Sequence, residues 1–244
     1  PDCHEIVKIL SGFYGKTDQK VWLEIGAGTG QIGVWALEHT KKYFGLDISG
    51  EMLNEFRERL SDKQSIDLRE FDANNQWPLE NDSVSLTFSS RTVHLLSPQH
   101  VFNEIKRVHR GGYFLIGRLA REQTGNIKDE MRKKMREILA SMGHESRRGE
   151  ENRKQLLDLF CERGGKKIES IKAASWQEIS SPNHSINSWL SKDGLAGQEI
   201  DDSIKKECMK RLSASAKDRY GSLDYQEIIT QTYLIEGVEL HSLH

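Results

Sequence analysis

Cysteine and proline are both scarce in this chain, at three and four residues of 244. Cys3, Cys161 and Cys208 are odd in number, far apart and never spaced as C-x-x-C. That pattern argues against a disulfide framework and a zinc site, and a reducing cytoplasm is the expected setting. The terminal LHSLH has no partner ligands nearby in sequence, so no metal is expected there. No apolar run approaches the roughly 18–20 residues that a bilayer span requires, and no signal-peptide pattern opens the chain. Neither sign of charge dominates: 35 basic and 37 acidic residues leave a formal net charge of −2. With a pI near 6.6 there is no overall pull toward nucleic acid or an anionic membrane. Repeats and low-complexity stretches are also missing. The chain opens on Pro1 rather than methionine, and some native residues ahead of it are expected to be missing. What is present is 36% hydrophobic and 30% charged sequence, which implies a folded core under a well-solvated surface. The length suits one α/β domain with a generous insertion, or a domain and a half.

Short apolar runs alternate with amphipathic stretches over the first 120 residues, the rhythm of β-α-β units on a parallel sheet. Ile6, Ile9, Leu10 and Phe13 recur at helical spacing and predict a first helix. Strands are predicted at 20–26, 41–47, 65–72 and 83–90. A helix is expected at 31–39, and another is marked by Met52, Leu53, Phe56 and Leu60. Ser97-Pro98 combines a hydroxyl N-cap with proline at the first helical position, a strong helix start. Gly111-Gly112 is expected to turn that helix into a strand at 113–120. The rhythm then breaks. Ile127, Met131, Met135, Ile138 and Met142 form a helical stripe in a stretch too long for a simple connection. A helix at about 151–163 ends on Gly164-Gly165 and leads to a strand at 166–180. Ser181-Pro182 starts a further helix, and Ile200, Ile204, Cys208 and Leu212 mark a longer one before a final strand at 227–240. The expected fold is α/β: a doubly wound, mostly parallel seven-stranded sheet with helices on both faces. Its core comprises 1–120, 150–180 and 224–244, and helical insertions at 121–149 and 181–223 are expected to form a cap.

The segment that carries chemistry is VWLEIGAGTG (21–30). Glycines at 26, 28 and 30 let the loop after strand one bend sharply and bring its backbone against a ligand. In open α/β sheets that ligand lies outside the carboxyl ends of the strands. Residues 28–33 match G-x-G-x-x-G literally, but in the wrong register for a dinucleotide fingerprint, which should begin at Gly26 and would then place Gln31 where its third glycine belongs. Glu24 at the strand's end suits a cationic amino-acid moiety better than a pyrophosphate. Asp47, closing strand two, is placed to accept from both ribose hydroxyls, and Asp72, closing strand three, from an adenine amino group. Asp47 would alternatively cap the helix beside Ser49, and Asp72 a turn.

With these residues in place, 21–120 resembles the class I, S-adenosylmethionine-dependent methyltransferases, most closely their type 11, ubiquinone/menaquinone-biosynthesis-like group. The resemblance implies S-adenosylmethionine as cofactor and a motif I made by Glu24, Gly26, Gly28 and Gly30. It also implies Asp47 as the ribose acid and Asp72-Ala73 on the adenine side. Ala27 in the loop, Ile48 and Met52 beside Asp47, and Ser89 near the end of strand four complete the expected cofactor-binding set. The chain departs from the family pattern at Ser85, where aspartate is usual. It departs again at RVHRGG (107–112), which is one residue short and lacks the usual proline.

His94 and Arg91, just past strand four, are the candidate catalytic, acceptor-side residues, with structural roles as the alternative. Phe13 and Tyr14 would close over the cofactor or, the plainer reading, pack in the core. The methionine stripe is read as helix packing, and Arg147, Arg148 and Arg153 as a solvated face rather than an anion site. The expected reaction is direct in-line methyl transfer to a small molecule. An RNA or protein methyltransferase is the alternative, but strand four lacks an Asn/Asp-Pro-Pro-aromatic run, and the locally basic stretch 103–172 lacks interleaved aromatics. A dinucleotide oxidoreductase and a silent cofactor-binding module stand as further alternatives.

Overall fold

The computed structural model describes residues 3–40, 42–60, 66–120, 125–144, 149–196 and 198–241. Arg147, Arg148 and the last three residues of the LHSLH tail lie outside the described residues. The chain order is α1 (Cys3–Tyr14), β1 (Val21–Ile25), α2 (Gly33–Ala36), β2 (Tyr43–Asp47), α3 (Gly50–Glu58), β3 (Ile66–Glu70) and β4 (Val84–Ser90). A single 3-10 turn (Val93–Leu95), α4 (Pro98–Val108), β5 (His109–Leu119), α5 (Ile127–Ser141), α6 (Gly149–Glu162) and β6 (Lys166–Ser180) follow. α7 (Pro182–Leu190), α8 (Asp202–Tyr220) and β7 (Glu227–Glu239) complete it.

One seven-stranded sheet runs in the order β3-β2-β1-β4-β5-β7-β6. β3 to β5 are mutually parallel, while β7 pairs antiparallel with β5. The winding reverses between β1 and β4, and such a switch point leaves a crevice at the carboxyl ends of the strands. Period-two alternation sorts β1 between the faces. Leu23 and Ile25 join the core with Val101, Ile105, Leu156 and Phe160 of α4 and α6. Trp22 turns the other way, where Tyr14 of α1 stacks at 5.4 Å between centroids. Tyr14 also hydrogen-bonds Thr40 Oγ1 at 3.0 Å, so it is a packing residue of this face. Phe13 likewise packs edge-on against Tyr113.

The chain folds as two compact units. The first comprises 1–119, 149–175 and 232–244, and the second 120–148 and 176–231. In the first, Glu236 of β7 is buried and accepts from Arg118 of β5 and Arg153 of α6. Arg153 is thus tied into the unit rather than lying on a solvated face. The second unit has its own apolar core, in which Met131, Met135, Ile138, Ile186, Cys208 and Leu212 pack together. The methionine stripe is therefore core packing. Asn126 caps α5 by accepting from Asp129 N, and Ser181 caps α7 by accepting from His184 N. Among the described residues, no helix is long and apolar enough to cross a membrane.

Two local expectations change. α2 is a single turn rather than a helix over 31–39, because Ile32 at its N-cap has no side-chain acceptor and the chain beyond Ala36 closes in successive tight turns. Gly111-Gly112 does not turn the chain out of α4 but lies inside β5. Val84 pairs with His109 and Leu86 with Tyr113, so β5 carries two extra residues there, a bulge. Gly112 has φ +98°, and a Cβ on it would stand 2.1 Å from the Ser85 carbonyl oxygen. Only glycine lets the two backbones meet so closely.

Candidate active site

The loop leaving β1 holds Gly26, Gly28 and Gly30 at φ +77°, +53° and +78°. All three adopt left-handed backbone, but their missing side chains serve different ends. A Cβ on Gly26 would lie 1.9 Å from Thr92 Oγ1, and one on Gly30 would lie 2.2 Å from the Phe56 ring. Those two glycines make room for the protein itself. At Gly28 the nearest atoms would be Met52 Sδ at 3.9 Å and Asp47 Oδ2 at 4.0 Å. A Cβ on Gly28 would thus make only ordinary van der Waals contacts, so packing of the protein itself does not require a glycine there.

Asp47 organises that opening. Its Oδ2 accepts from Gly28 N at 2.8 Å and its Oδ1 from Ser49 N at 2.9 Å. One carboxylate thus ties the β1 loop to the start of α3, and each oxygen keeps a second lone pair for a ligand hydroxyl. Ser49 itself caps α3 by accepting from Met52 N. Beside Asp47, Ile48 is 71% exposed and Met52 47% exposed. Two exposed apolar side chains flanking a strand-end acid make a platform for a flat heterocycle.

Glu24 is buried beneath the loop and accepts from the Tyr43 hydroxyl. Burial raises its pKa to about 8, opposed by the Tyr43 hydrogen bond and assisted by the neighbouring Asp47 charge. A cation delivered beside it would reverse that shift. The same burial, with Glu24 alongside, keeps the Tyr43 phenol protonated.

Residues 23–116 match the family model described as a methyltransferase domain. That stretch is similar to a methyltransferase domain and spans β1 through most of β5. A protein of Bacillus halodurans assigned as a methyltransferase is similar in structure, with a TM-score of 0.62 at 12% identity, over 98% of this chain and 99% of that one. The YcgJ protein of Bacillus subtilis gives a TM-score of 0.57 at 16% identity, over 96% and 98%. A geranyl diphosphate C-methyltransferase from Streptomyces coelicolor, in complex with Mg2+, geranyl diphosphate and S-adenosyl-L-homocysteine, gives 0.51 at 13% identity, over 96% and 79%. No curated protein sequence matches significantly.

The fold does not bring every expected side chain to the crevice. Ser89 is fully buried and donates to the Ile25 carbonyl at 3.0 Å, tying β4 to β1, so its hydroxyl faces away from a ligand. Asp72 accepts from Asn74 N and Asn74 Nδ2 through Oδ1, an Asx turn after β3. Ala73 beside it is buried, and its carbonyl accepts from Trp77 Nε1. Ala27 is buried at the base of the loop. Past β4, Arg91 is exposed at φ +59°, an uncommon conformation for a residue with a side chain. His94 is half-buried in the 3-10 turn, and its carbonyl accepts from Asn152 of α6. Ser85, the departure from the family pattern, donates to Asp18 and accepts from Lys20 N at 3.0 Å. It anchors the entry to β1 and lies at the opposite end of β4 from Ser90.

One side chain at the strand ends was not singled out from the sequence. Tyr233 of β7 is buried, and its hydroxyl meets Ser90 Oγ at 2.6 Å at the carboxyl end of β4. Nothing local links positions 143 residues apart. Only the pairing of β7 beside β5 brings them together.

Proposed function

We propose that this protein transfers the methyl group of S-adenosylmethionine to a small-molecule acceptor by direct in-line displacement. The observation that carries the reading is the open backbone at Gly28, fixed by Asp47 and set above the buried acid Glu24. Bound there, the cofactor supplies a methyl group on a positively charged sulfur. Gly28 would let it approach the backbone, Asp47 would accept from its ribose hydroxyls, and Ile48 and Met52 would flank its base, with Asp72-Ala73 on the adenine side. Glu24 would face the cationic amino-acid end. The acceptor's lone pair forms the new bond to carbon as the carbon–sulfur bond breaks, its electron pair remaining on sulfur. An acceptor O–H or N–H then gives up its proton. The protein's contribution is alignment of nucleophile, methyl and sulfur, together with exclusion of water.

His94 and Arg91 stand in this reading as acceptor-side groups, and the helical insertions as the cap. A small-molecule acceptor is supported by the geranyl diphosphate enzyme among the similar structures and by the missing base-stacking run after β4. The test is a melting experiment with millimolar S-adenosylhomocysteine and NAD in parallel, followed by labelled methyl transfer to a panel of small acceptors. S-adenosylhomocysteine should raise the melting temperature by mass action and NAD should not. A shift with NAD alone would end the proposal. If His94 is a general base, His94→Ala should leave S-adenosylhomocysteine affinity intact and slow methyl transfer by about 10²–10⁴-fold.

A further inference from the structure

β4 ends on Ser90, and the next residue is held in an unusual way. Arg91 takes left-handed backbone, φ +59°, which a residue with a side chain keeps only when its surroundings impose it. Both neighbours are fixed. Ser90 Oγ meets the Tyr233 hydroxyl at 2.6 Å. Tyr233 has room there because β5 carries no side chain at Gly117, where a Cβ would stand 2.0 Å from the phenol oxygen. On the other side, Thr92 fills the place that a Cβ on Gly26 would take, and its Oγ1 donates to the Ser90 carbonyl at 3.3 Å. Arg91 is therefore pinned between the end of β4 and the first glycine of the β1 loop. Arg107, Arg118, Arg153 and Arg219 each meet a glutamate. Arg91 is exposed and has no hydrogen-bond or ion-pair partner among the described residues. Its charge acts on the Tyr233 hydroxyl, so the guanidinium stands over the strand ends rather than turned away from them.

We infer that Arg91 anchors a negatively charged group, a carboxylate or a phosphate, on the methyl acceptor. This rests on the cofactor reading above and narrows the acceptor to anions. S-adenosylmethionine brings a positive sulfur to the same crevice, and two cations there repel one another unless an anion is bound beside them. A guanidinium presents parallel N–H donors in a planar fork, which matches two oxygens of a carboxylate or phosphate. The pinned backbone fixes where that fork starts, so the anionic end of the acceptor is held at the tip of β4. Arg91 sets specificity and takes no part in proton transfer, because a guanidinium stays charged at every working pH.

The inference is testable before any acceptor is known. Protein saturated with S-adenosylhomocysteine is titrated by calorimetry at low ionic strength with benzoate, inorganic pyrophosphate and, as the uncharged control, benzamide. The wild type should bind at least one of the two anions and not benzamide, and the anion preferred tells carboxylate from phosphate. Arg91→Gly removes the guanidinium, and glycine takes left-handed backbone freely, so the variant should keep the wild-type melting temperature. It should bind that anion about tenfold more weakly or worse, the scale of a hydrogen bond to a charged group, with S-adenosylhomocysteine affinity unchanged. Arg91→Lys keeps the charge without the fork and should fall between the two. A wild type that binds neither anion, or Arg91→Gly that binds them as well as the wild type, would overturn the inference. A loss of S-adenosylhomocysteine affinity in Arg91→Gly would overturn it too, because Arg91 would then hold the carboxylate of the cofactor itself. A wild type that does not bind S-adenosylhomocysteine would instead overturn the cofactor reading on which the inference rests.

Discussion

At the scale of single residues, the site is governed by one acid kept out of water. Glu24 has its folded pKa raised from the ordinary 4.5 to about 8, chiefly by burial. The folded state therefore holds a proton that the unfolded state has released, and the linkage sign follows. Glu24's contribution to stability is fully present below about pH 4.5 and is lost as pH rises to about 8. Glu24→Gln should flatten that part of the ligand-free stability curve, measured by urea denaturation from pH 5 to pH 9. A cationic ligand favours the ionised acid, so S-adenosylhomocysteine should release a proton on binding near pH 7. Calorimetry in buffers of different ionisation enthalpy should detect the proton in the wild type and not in Glu24→Gln. Gly28 provides a second residue-scale test. Asparagine tolerates left-handed backbone better than most residues, and nothing lies closer than 3.9 Å to a Cβ there. Gly28→Asn should fold with little change in melting temperature yet lose ligand affinity tenfold or more. Gly26→Ala, driven into Thr92, should instead lose stability by about 1–3 kcal/mol or more, as overpacking does. If Gly28→Asn keeps wild-type affinity, the ligand does not pass that glycine.

At the scale of elements, several boundaries were readable because their signals are local. Ser97-Pro98 starts α4 and Ser181-Pro182 starts α7, each with the serine hydroxyl accepting from the backbone N–H three residues on. The end of α6 at Glu162 was legible in Gly164-Gly165, where Gly165 N returns to the Phe160 carbonyl at 2.8 Å. The same glycine pairing misled at 111–112, because a bulge and a turn both ask for glycine and only the neighbouring strand tells them apart. The bulge makes its own prediction. Gly112→Ala must push a Cβ into the Ser85 backbone at positive φ, whereas Gly111→Ala would meet only the His241 ring at 3.2 Å. Gly112→Ala should therefore lower the urea midpoint sharply and Gly111→Ala should change it little. Equal effects of the two would mean that β4 and β5 do not meet as described.

At the scale of the whole molecule, ligand and fold are linked. At a hundredfold excess over Kd, S-adenosylhomocysteine should add about 2.7 kcal/mol to the stability of the folded state. Hydrogen exchange then reads where that stabilisation falls. Amides at 26–30 and 47–52 should slow, and slowing within α5 and α8 as well would support the proposed cap, while unchanged exchange there would remove it. The α/β rhythm, the parallel half of the sheet and the glycine loop were determined by sequence alone, because strand alternation, helical spacing and glycine's backbone freedom act within a few residues. The matching of Glu24 and Asp47 to strand ends was equally local. Which glycine the protein itself leaves uncrowded was not, since Gly26 is filled by Thr92 and Gly30 by Phe56 from distant positions. Ser89 turning inward and Ser90 outward depended on how β4 sits between β1 and β5. Tyr233 reached Ser90 only through the antiparallel return of β7 and the empty place at Gly117. Contacts between residues far apart in sequence are set by packing and register, and those exist only once the sheet is assembled.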